Sequence, residues 1–145
     1  MQSDAKPHFV SFSTHHRWEL PPAAREIVLQ CAVHDHKVTI DLYIAVVMPD
    51  HVHMIFTALL DSAQKHICSL ADIMNGIKGA SAHRVNKLLR RKGKLWQEES
   101  FDHILRSSES LEQKVEYVRQ NPVRRGLARS PEDYPWLWVA PRFQK

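Results

Sequence analysis

The most regular pattern in the chain is the alternation of apolar and polar side chains over residues 37–48, KVTIDLYIAVVM. Alternation with a period of two is typical of a β-strand that has one buried face. The predicted faces are Val38, Ile40, Leu42, Ile44 and Val46 on one side, and Thr39, Asp41 and Tyr43 on the other. The run breaks at residues 48–50, MPD, and an apolar stretch resumes over 51–58, HVHMIFTA. Two strands separated by so short a break predict a β-hairpin.

Three further stretches carry apolar residues at helical spacing. The first is opened by Pro21 and Pro22, because proline is tolerated in the first turn of a helix, where its missing N–H has no helical partner anyway. The second covers roughly residues 66–91, and Gly93 is a suitable residue for ending it. The third begins at a serine cap, at position 107 or 108, and extends to about Asn121, since the following proline disfavours helical geometry in the residue before it.

Two shorter strands are predicted over residues 8–14, HFVSFST, and within 95–105, LWQEESFDHIL. The order is therefore strand, helix, strand, strand, helix, strand, helix. This order predicts an α+β domain in which helices pack on an antiparallel sheet in a ferredoxin-like arrangement. We expect one domain over residues 1–145, with a tail at 131–145, containing tryptophans and prolines, that packs as irregular chain.

Composition narrows the class of protein. A chain of 145 residues with 43% hydrophobic and 25% charged residues is typical of a globular domain. No apolar run approaches the ~20 residues that cross a bilayer, and the first residues lack the layout of a secretory signal. Cys31 and Cys68 have no CxxC spacing, which argues against a disulfide framework or a cysteine zinc site. We therefore expect a cytoplasmic location and no membrane partner.

Positive charge is concentrated in two segments. The formal charge is +4, and residues 87–94, KLLRRKGK, include five basic residues and no acid. A second group lies nearer the C-terminus and consists of Arg119, Arg124, Arg125 and Arg129. Each group on its own is compatible with a solvated face. Together they favour contacts with the phosphates of a nucleic acid.

A histidine pair, His51 and His53, lies at the start of the second hairpin strand. Alternate strand residues point to the same side, so both imidazoles are expected on one face, where they could share a divalent metal. The intervening positions are apolar and anchor the strand: Val52, Met54 and Phe56. With ten histidines in the chain, about 0.7 such pairs are expected by chance, and His34 with His36 is another, expected at the surface. On spacing alone, the first pair is either a metal site or two partly buried, hydrogen-bonded histidines.

A tyrosine and an asparagine, Tyr117 and Asn121, are four residues apart in the last predicted helix. This spacing places them on one helix face, one turn apart. A tyrosine can attack phosphorus if a cation stabilises its phenolate, and an asparagine carbonyl is a suitable ligand for Mg²⁺ or Mn²⁺. The alternative is a tyrosine packed against the sheet and an asparagine that caps the helix.

Taken together, these pieces resemble the REP-associated tyrosine transposases, which belong to the single-tyrosine HUH transposase superfamily. The resemblance extends over roughly residues 8–140. It rests on four blocks in the expected order: VVMPDHVH at 46–53, IKG with RVNK at 77–79 and 84–87, LWQ with FDHILR at 95–97 and 101–106, and YVRQNPVRRGL at 117–127. Many members carry asparagine where this chain has Asp50.

The resemblance implies a ferredoxin-like HUH endonuclease fold and a site in which Tyr117 is the nucleophile. It implies that His51, His53 and Asn121 hold a divalent metal, Mg²⁺ or Mn²⁺. It also implies a single-stranded or hairpin DNA substrate, cleavage through a 5′-phosphotyrosine that leaves a free 3′-hydroxyl, and a protein that acts as a monomer or homodimer.

The expected DNA contacts are basic side chains that reach the backbone: Lys78, Arg84, Lys87, Arg90, Arg91, Arg119 and Arg124. Trp96 or Phe101 could stack a splayed base, or pack in the core. The alternatives are a DNA-hairpin-binding protein without cleavage, a metal-dependent phosphoesterase acting on non-nucleic substrates, and an HUH initiator of replication or plasmid relaxation. A phosphoesterase would not need the basic segment at 87–94.

Overall fold

The computed structural model describes residues 6–61, 66–67 and 69–144. Seven strands and four α-helices are assigned within these residues. The strands are β1 (His8–Ser13), β2 (Ile40–Val47), β3 (His51–Ala58), β4 (Leu60–Asp61), β5 (His66–Ile67), β6 (Phe101–Ile104) and β7 (Leu137–Val139). The helices are α1 (Pro22–His34), α2 (Leu70–Leu89), α3 (Ser108–Arg119) and α4 (Asn121–Arg124).

Five of these strands form one sheet in the order β6-β1-β3-β2-β7, and every neighbouring pair is antiparallel. Strands β1, β2, β3 and β6, together with α1 and α2, follow the β-α-β-β-α-β order of a ferredoxin-like fold along the chain. Strand β7 extends the sheet beyond β2. The predicted α+β class, the hairpin of β2 with β3, and the ferredoxin-like order are therefore confirmed. No helix in the described part of the chain has the length and apolar character needed to span a bilayer.

The sheet has a buried face on each side. On one side α1 and α2 pack against a core that includes Val52, Met54 and Phe56 of β3. On the other side α3 packs against a second core that includes Ile55 of the same strand. Because strand residues alternate, His51 and His53 point to the side that holds α3. The sheet thus presents the histidines to the helix that carries Tyr117.

Strand β2 does not keep the predicted alternation along its whole length. Its register with β3 shifts between Leu42 and Ile44, so Tyr43 is an extra residue in a β-bulge. Ile40 and Leu42 belong to the core beneath α1 and α2, whereas Ile44 and Val46 belong to the core beneath α3. The prediction that all four share one face is wrong, because one inserted residue reverses the alternation beyond it. Val38, also assigned to that face, lies outside the strand and is 63% exposed.

Helix α2 is shorter than its periodicity predicted at both ends. It begins after Ser69, whose side chain accepts a hydrogen bond from the Asp72 N–H at 3.0 Å, while His66 pairs with Asp61 in a short two-stranded ladder. It ends at Leu89, before Gly93, because Arg90 takes the left-handed conformation with φ 52° that commonly terminates a helix.

The last predicted helix is two helices. Helix α3 begins after Ser107, whose Oγ accepts from the Ser110 N–H at 3.0 Å, and it ends at Arg119. Pro122 fits the first turn of a helix but not a helix interior, so it ends α3 and lies at the start of α4. The prediction that Tyr117 and Asn121 lie one turn apart on the same helix is wrong.

The tail is more ordered than predicted. Residues Leu137–Val139 form strand β7, which pairs with β2 through Val46, Ala45 and Ile44. The buried Tyr134 hydroxyl donates to the Val47 carbonyl at 2.6 Å. The prediction of irregular chain is therefore wrong for this segment, because pairing with a sheet edge is a contact between distant residues that the local sequence does not reveal.

Candidate active site

The two histidines lie side by side on β3, the middle strand of the sheet. Their ring centroids are 4.8 Å apart and the rings meet edge to face. His51 is 6% exposed, and His53 stacks on Phe9 of the adjacent strand β1 at 5.4 Å between centroids. The rings are therefore held in place by the sheet and by their neighbours, an arrangement that both a metal site and a pair of buried, hydrogen-bonded histidines would have.

Asp50 fixes the orientation of His51. The two side chains are joined by a hydrogen bond of 2.7 Å between His51 Nδ1 and Asp50 Oδ1. A carboxylate can only accept, so Nδ1 carries the proton and the Nε2 lone pair remains free for a ligand. Arg17 donates from Nε to the other carboxylate oxygen at 3.0 Å. Burial alone would raise the pKa of Asp50, but the hydrogen bonds from His51 and Arg17 outweigh it and lower that pKa below its usual range.

Both imidazoles are neutral at physiological pH. Burial lowers the pKa of His51, and the opposing effect of the Asp50 carboxylate does not cancel it. Burial, reinforced by the nearby His51 and Arg125, lowers the pKa of His53 to about 3. A neutral imidazole is the form that binds a metal, so the pair is in the correct protonation state for a ligand role.

Tyr117 lies on the exposed side of α3, with 48% of its surface accessible. Two cations pack on its ring: Lys114 Nζ lies 4.8 Å from the ring centroid and the Arg124 guanidinium 4.0 Å. The Lys114 ammonium also lies 4.7 Å from the Phe9 ring, which is the ring that stacks on His53. A continuous set of contacts thus connects the tyrosine to the histidine pair.

Asn121 is buried, with 5% exposure, and its carbonyl oxygen accepts from Arg124 Nη2 at 3.1 Å. The same guanidinium donates to the Tyr117 carbonyl at 2.7 Å, so Arg124 joins the asparagine to the tyrosine across the break between α3 and α4. The carbonyl keeps a second lone pair for another ligand.

The residue types at the site suit a divalent metal, which imidazole nitrogens and an amide carbonyl oxygen can bind. Within the described residues, buried side-chain atoms without a hydrogen-bond partner are found at three positions, and two of these are His53 Nδ1 and Asn121 Nδ2. Unpartnered buried polar atoms are rare and commonly mark functional sites. The same residues contain no group of three His, Cys, Asp or Glu side chains that could hold a metal ion. A metal site here would therefore depend on the two imidazoles and the asparagine carbonyl.

Several predicted DNA-contacting cations are engaged within the protein. The three donors of the Lys78 ammonium meet three acceptors of the 97–100 segment: the Gln97 carbonyl at 2.7 Å, the Glu98 carbonyl at 3.1 Å and Ser100 Oγ at 3.2 Å. Arg84 donates to Gln30 of α1 at 2.9 Å, and Arg119 pairs with Glu132 at 2.6 Å.

The cations near the end of α2 are more accessible. Lys87 and Arg90 are exposed. Arg91 is half-buried: its guanidinium donates to Asn86 Oδ1 at 2.9 Å and to the Lys94 carbonyl at 3.0 Å, and it lies 4.4 Å from the centroid of the Trp18 ring. Of the two candidate stacking residues, Trp96 is 5% exposed and donates to Ser81 Oγ, whereas Phe101 is 57% exposed. The structure therefore gives Trp96 a role in the core and leaves the Phe101 ring available to a ligand.

The second histidine pair differs from the first. The His34 side chain is 83% exposed, as predicted. His36 is half-buried: its Nδ1 accepts from the Leu42 N–H at 2.9 Å, and its ring packs edge-on against Trp138 at 4.9 Å. His36 therefore stabilises the junction between α1 and β2, and the prediction that it lies at the surface is wrong; the two members of this pair have unrelated roles.

Comparison with known proteins identifies the family of this chain. The family model described as "Transposase IS200 like" matches residues 3–121. A Haemophilus influenzae protein provisionally named a REP-associated tyrosine transposase is 22% identical over 95 residues, which are 62% of this chain and 53% of that protein. The chain thus spans about half the length of this curated relative.

Two solved structures share the fold. One is a REP-associated tyrosine transposase bound to a REP hairpin, with a TM-score of 0.73 and 19% identity, matched over 91% of this chain and 75% of that one. The other is a Deinococcus radiodurans protein provisionally named a transposase, with a TM-score of 0.53 and 20% identity, matched over 80% and 90%.

Proposed function

The chain belongs to the IS200-like transposase family, and from this premise we propose that it is a metal-dependent DNA strand transferase that cleaves single-stranded DNA beside a hairpin through Tyr117. The observation that carries the proposal is the set of contacts that connects the exposed tyrosine to the neutral histidine pair. These contacts run through Lys114 and Phe9. A tyrosine that served only in packing would not need to be half exposed between two cations.

In this proposal Tyr117 attacks the scissile phosphorus. Its oxygen forms a bond to phosphorus while the bond to the 3′ oxygen of the preceding nucleotide breaks. The phenol proton passes to solvent, the departing 3′ oxygen takes up a proton, and the product is a 5′-phosphotyrosine. Lys114 and Arg124, which contact the ring, hold it in position and place positive charge beside the attacking group. Because the phosphodiester energy is kept in the covalent bond, a second 3′-hydroxyl can reverse the reaction and join a new strand.

His51, His53 and Asn121 would hold the metal, with Asp50 orienting the first imidazole. A bound Mg²⁺ or Mn²⁺ would withdraw charge from the oxygens of the scissile phosphate. His53 carries a buried ring nitrogen without a hydrogen-bond partner, and this supports its role as a ligand. Asn121 would bind through its carbonyl oxygen, which also accepts from Arg124, because its amide nitrogen can only donate.

A hairpin substrate is proposed from the family and from the matched structure, which is of a transposase bound to a REP hairpin. The positive charge near the end of α2 supports a polyanionic substrate. Lys87, Arg90 and Arg91 are the side chains proposed to contact the DNA backbone there.

The test is a covalent-adduct assay. Labelled hairpin DNA with single-stranded flanks is incubated with protein and Mg²⁺ or Mn²⁺, and adducts are separated on a denaturing gel. We expect wild type to form a slowly migrating adduct, and Tyr117→Phe, which removes only the hydroxyl, to form none. The variants His51→Ala and His53→Ala should lose the adduct, and the matched control His34→Ala, from the second histidine pair, should keep it.

An adduct of unchanged yield in Tyr117→Phe would exclude this tyrosine as the nucleophile. Hairpin binding by wild type without any adduct, in either metal, would favour instead a DNA-hairpin-binding protein that has no cleavage activity.

A further inference from the structure

A cleft of about 240 Å³ opens beside His51. Its walls are Arg17, Glu19, Met48, Pro49, Asp50, His51, Arg125 and Leu127. The proposed reaction gives no role to this cleft. Its lining joins apolar surface to guanidinium groups, a combination that suits a nucleotide, whose base is flat and weakly polar on its faces and whose phosphate is an anion.

The charges of the cleft favour an anion at Arg125. Asp50 is already hydrogen-bonded to Arg17 and His51, and the Glu19 carboxylate lies 3.7 Å from the Arg25 guanidinium. The Arg125 guanidinium has no hydrogen-bond partner among residues 6–61, 66–67 and 69–144. It lies close enough to both histidines to lower their pKa values. It is therefore an uncompensated cation at the edge of the proposed metal site.

The apolar wall is accessible as well. Leu127 is 43% exposed although it is large and hydrophobic, and Pro49 is half-buried beside it. The turn that supplies Arg17 is strained, since His16 and Arg17 both have positive φ, at 57° and 55°. Consecutive non-glycine residues in this conformation cost free energy, and such strain is concentrated at functional sites.

The tyrosine and the cleft are connected to different members of the histidine pair. Tyr117 connects to His53 through Lys114 and Phe9, whereas the cleft is lined by His51, two residues and about 7 Å back along β3. In phosphoryl transfer the attacking and leaving oxygens lie in line on opposite sides of phosphorus. A nucleophile that approaches the phosphate from His53 would therefore leave the cleft beside His51 to the strand that departs.

From this geometry we infer that the cleft binds the nucleotide immediately 5′ to the scissile phosphate, with its base against Pro49 and Leu127 and a backbone phosphate on Arg125. The position of this nucleotide relative to the cut rests on the proposed cleavage, whereas the binding of a nucleotide in the cleft does not. It makes the cleft the place where the freed 3′-hydroxyl is retained, and therefore the site that selects the base next to the cut.

The experiment places the fluorescent base 2-aminopurine at each flank position of the hairpin in turn and measures its emission by stopped flow with Mg²⁺, before turnover. A base that leaves its stack to enter the cleft should emit more strongly. The rise should occur at one position in wild type and be lost in Leu127→Ala and Arg125→Ala. Two matched controls should keep the rise in emission. Leu88→Ala changes an exposed leucine on α2, and Arg106→Ala changes an arginine that follows β6 at the end of the sheet remote from His51.

The same hairpin is cut and mapped on a denaturing gel. A rise that depends on Leu127 at the nucleotide directly 5′ of the cut supports the inference. Dependence at any other position overturns the assignment, and no dependence on Leu127 or Arg125 at any position overturns the cleft itself. If no cut or adduct forms, the proposed cleavage fails, while the emission still decides whether the cleft holds a base.

Discussion

Replacing Asp50 with alanine should weaken metal binding without removing a proposed ligand. The Asp50 carboxylate holds the buried His51 ring by a bond of 2.7 Å, so its loss frees the ring to rotate away from the metal. Loss of such an orienting partner commonly reduces metal affinity about 10- to 100-fold, or ~1.4–2.8 kcal/mol. The Asp50 side chain is 30% exposed, and water can replace part of the interaction, which places the expected loss near the lower limit.

The assay is titration with Mn²⁺ alone, following free Mn²⁺ by electron paramagnetic resonance, so that DNA and turnover play no part. The chain contains a matched control. Asp102 bonds His8 Nδ1 at the same distance, 2.7 Å, and is 33% exposed, but this pair lies at the opposite end of β1 from His51. Asp102→Ala should leave the Mn²⁺ dissociation constant unchanged. Asp50→Asn keeps an oxygen that can accept from His51 and should retain most of the affinity.

Two results would refute the reasoning. Equal Mn²⁺ affinity in wild type and Asp50→Ala would mean that the bond to His51 does not orient a ligand. Equal weakening in Asp50→Ala and Asp102→Ala would mean that loss of surface charge, and not ring orientation, controls binding.

Three further outcomes follow from the structure. Because the pKa of His53 is about 3 and that of His51 is also lowered, Mn²⁺ affinity should fall less between pH 8 and 6 than it would for a site of two ordinary imidazoles. Below about pH 6.5 His53 takes up a proton in the unfolded chain but not in the folded one, so the free energy of unfolding should fall towards pH 3 by up to ~1.4 kcal/mol per pH unit. Urea unfolding should show a shallower fall for His53→Gln, which has no imidazole to protonate. Arg90→Gly should raise the free energy of unfolding in urea by about 1 kcal/mol, because glycine takes the left-handed conformation without strain, and a destabilised variant would contradict this. If Arg90 contacts a phosphate, the same variant should reduce the slope of log affinity for DNA against log salt concentration by about one, measured by fluorescence anisotropy. Lys114→Met removes about 1–2 kcal/mol of cation–ring attraction and should slow adduct formation ~5- to 30-fold at unchanged DNA affinity, and an unchanged rate would exclude a role for Lys114 in positioning or activating the tyrosine.

Local patterns in the sequence were sufficient for the main architecture. The two-residue period over 51–58 predicted both the strand and the shared face of its histidines, and these predictions follow from backbone geometry alone. The helix cap at Ser107 was likewise a local signal, since it requires only a serine and the N–H three residues later.

What the sequence missed depends on contacts between distant residues or on a single irregularity. Strand β7 forms because it pairs with the edge of β2, and the residues around Trp138 carry no local pattern that predicts this pairing. Arg17 and Arg125 come to His51 only through the fold. Two contacts could have been predicted, however: Asp50 is adjacent to a candidate ligand, and Lys114 is three residues before Tyr117 on one helix.

The bulge at Tyr43 determines where this protein tolerates a change in length. Without Tyr43, Leu42 and Ile44 would alternate as in a regular strand, and each would keep the face it now has. A deletion there removes the Tyr43–Thr57 hydrogen bond and the anchor of the Ala140 N–H, but leaves both cores facing correctly. Deleting Ala45 instead would exchange the faces of Val46 and Val47, next to the histidines. Related chains that differ by one residue in β2 should therefore carry the gap at position 43.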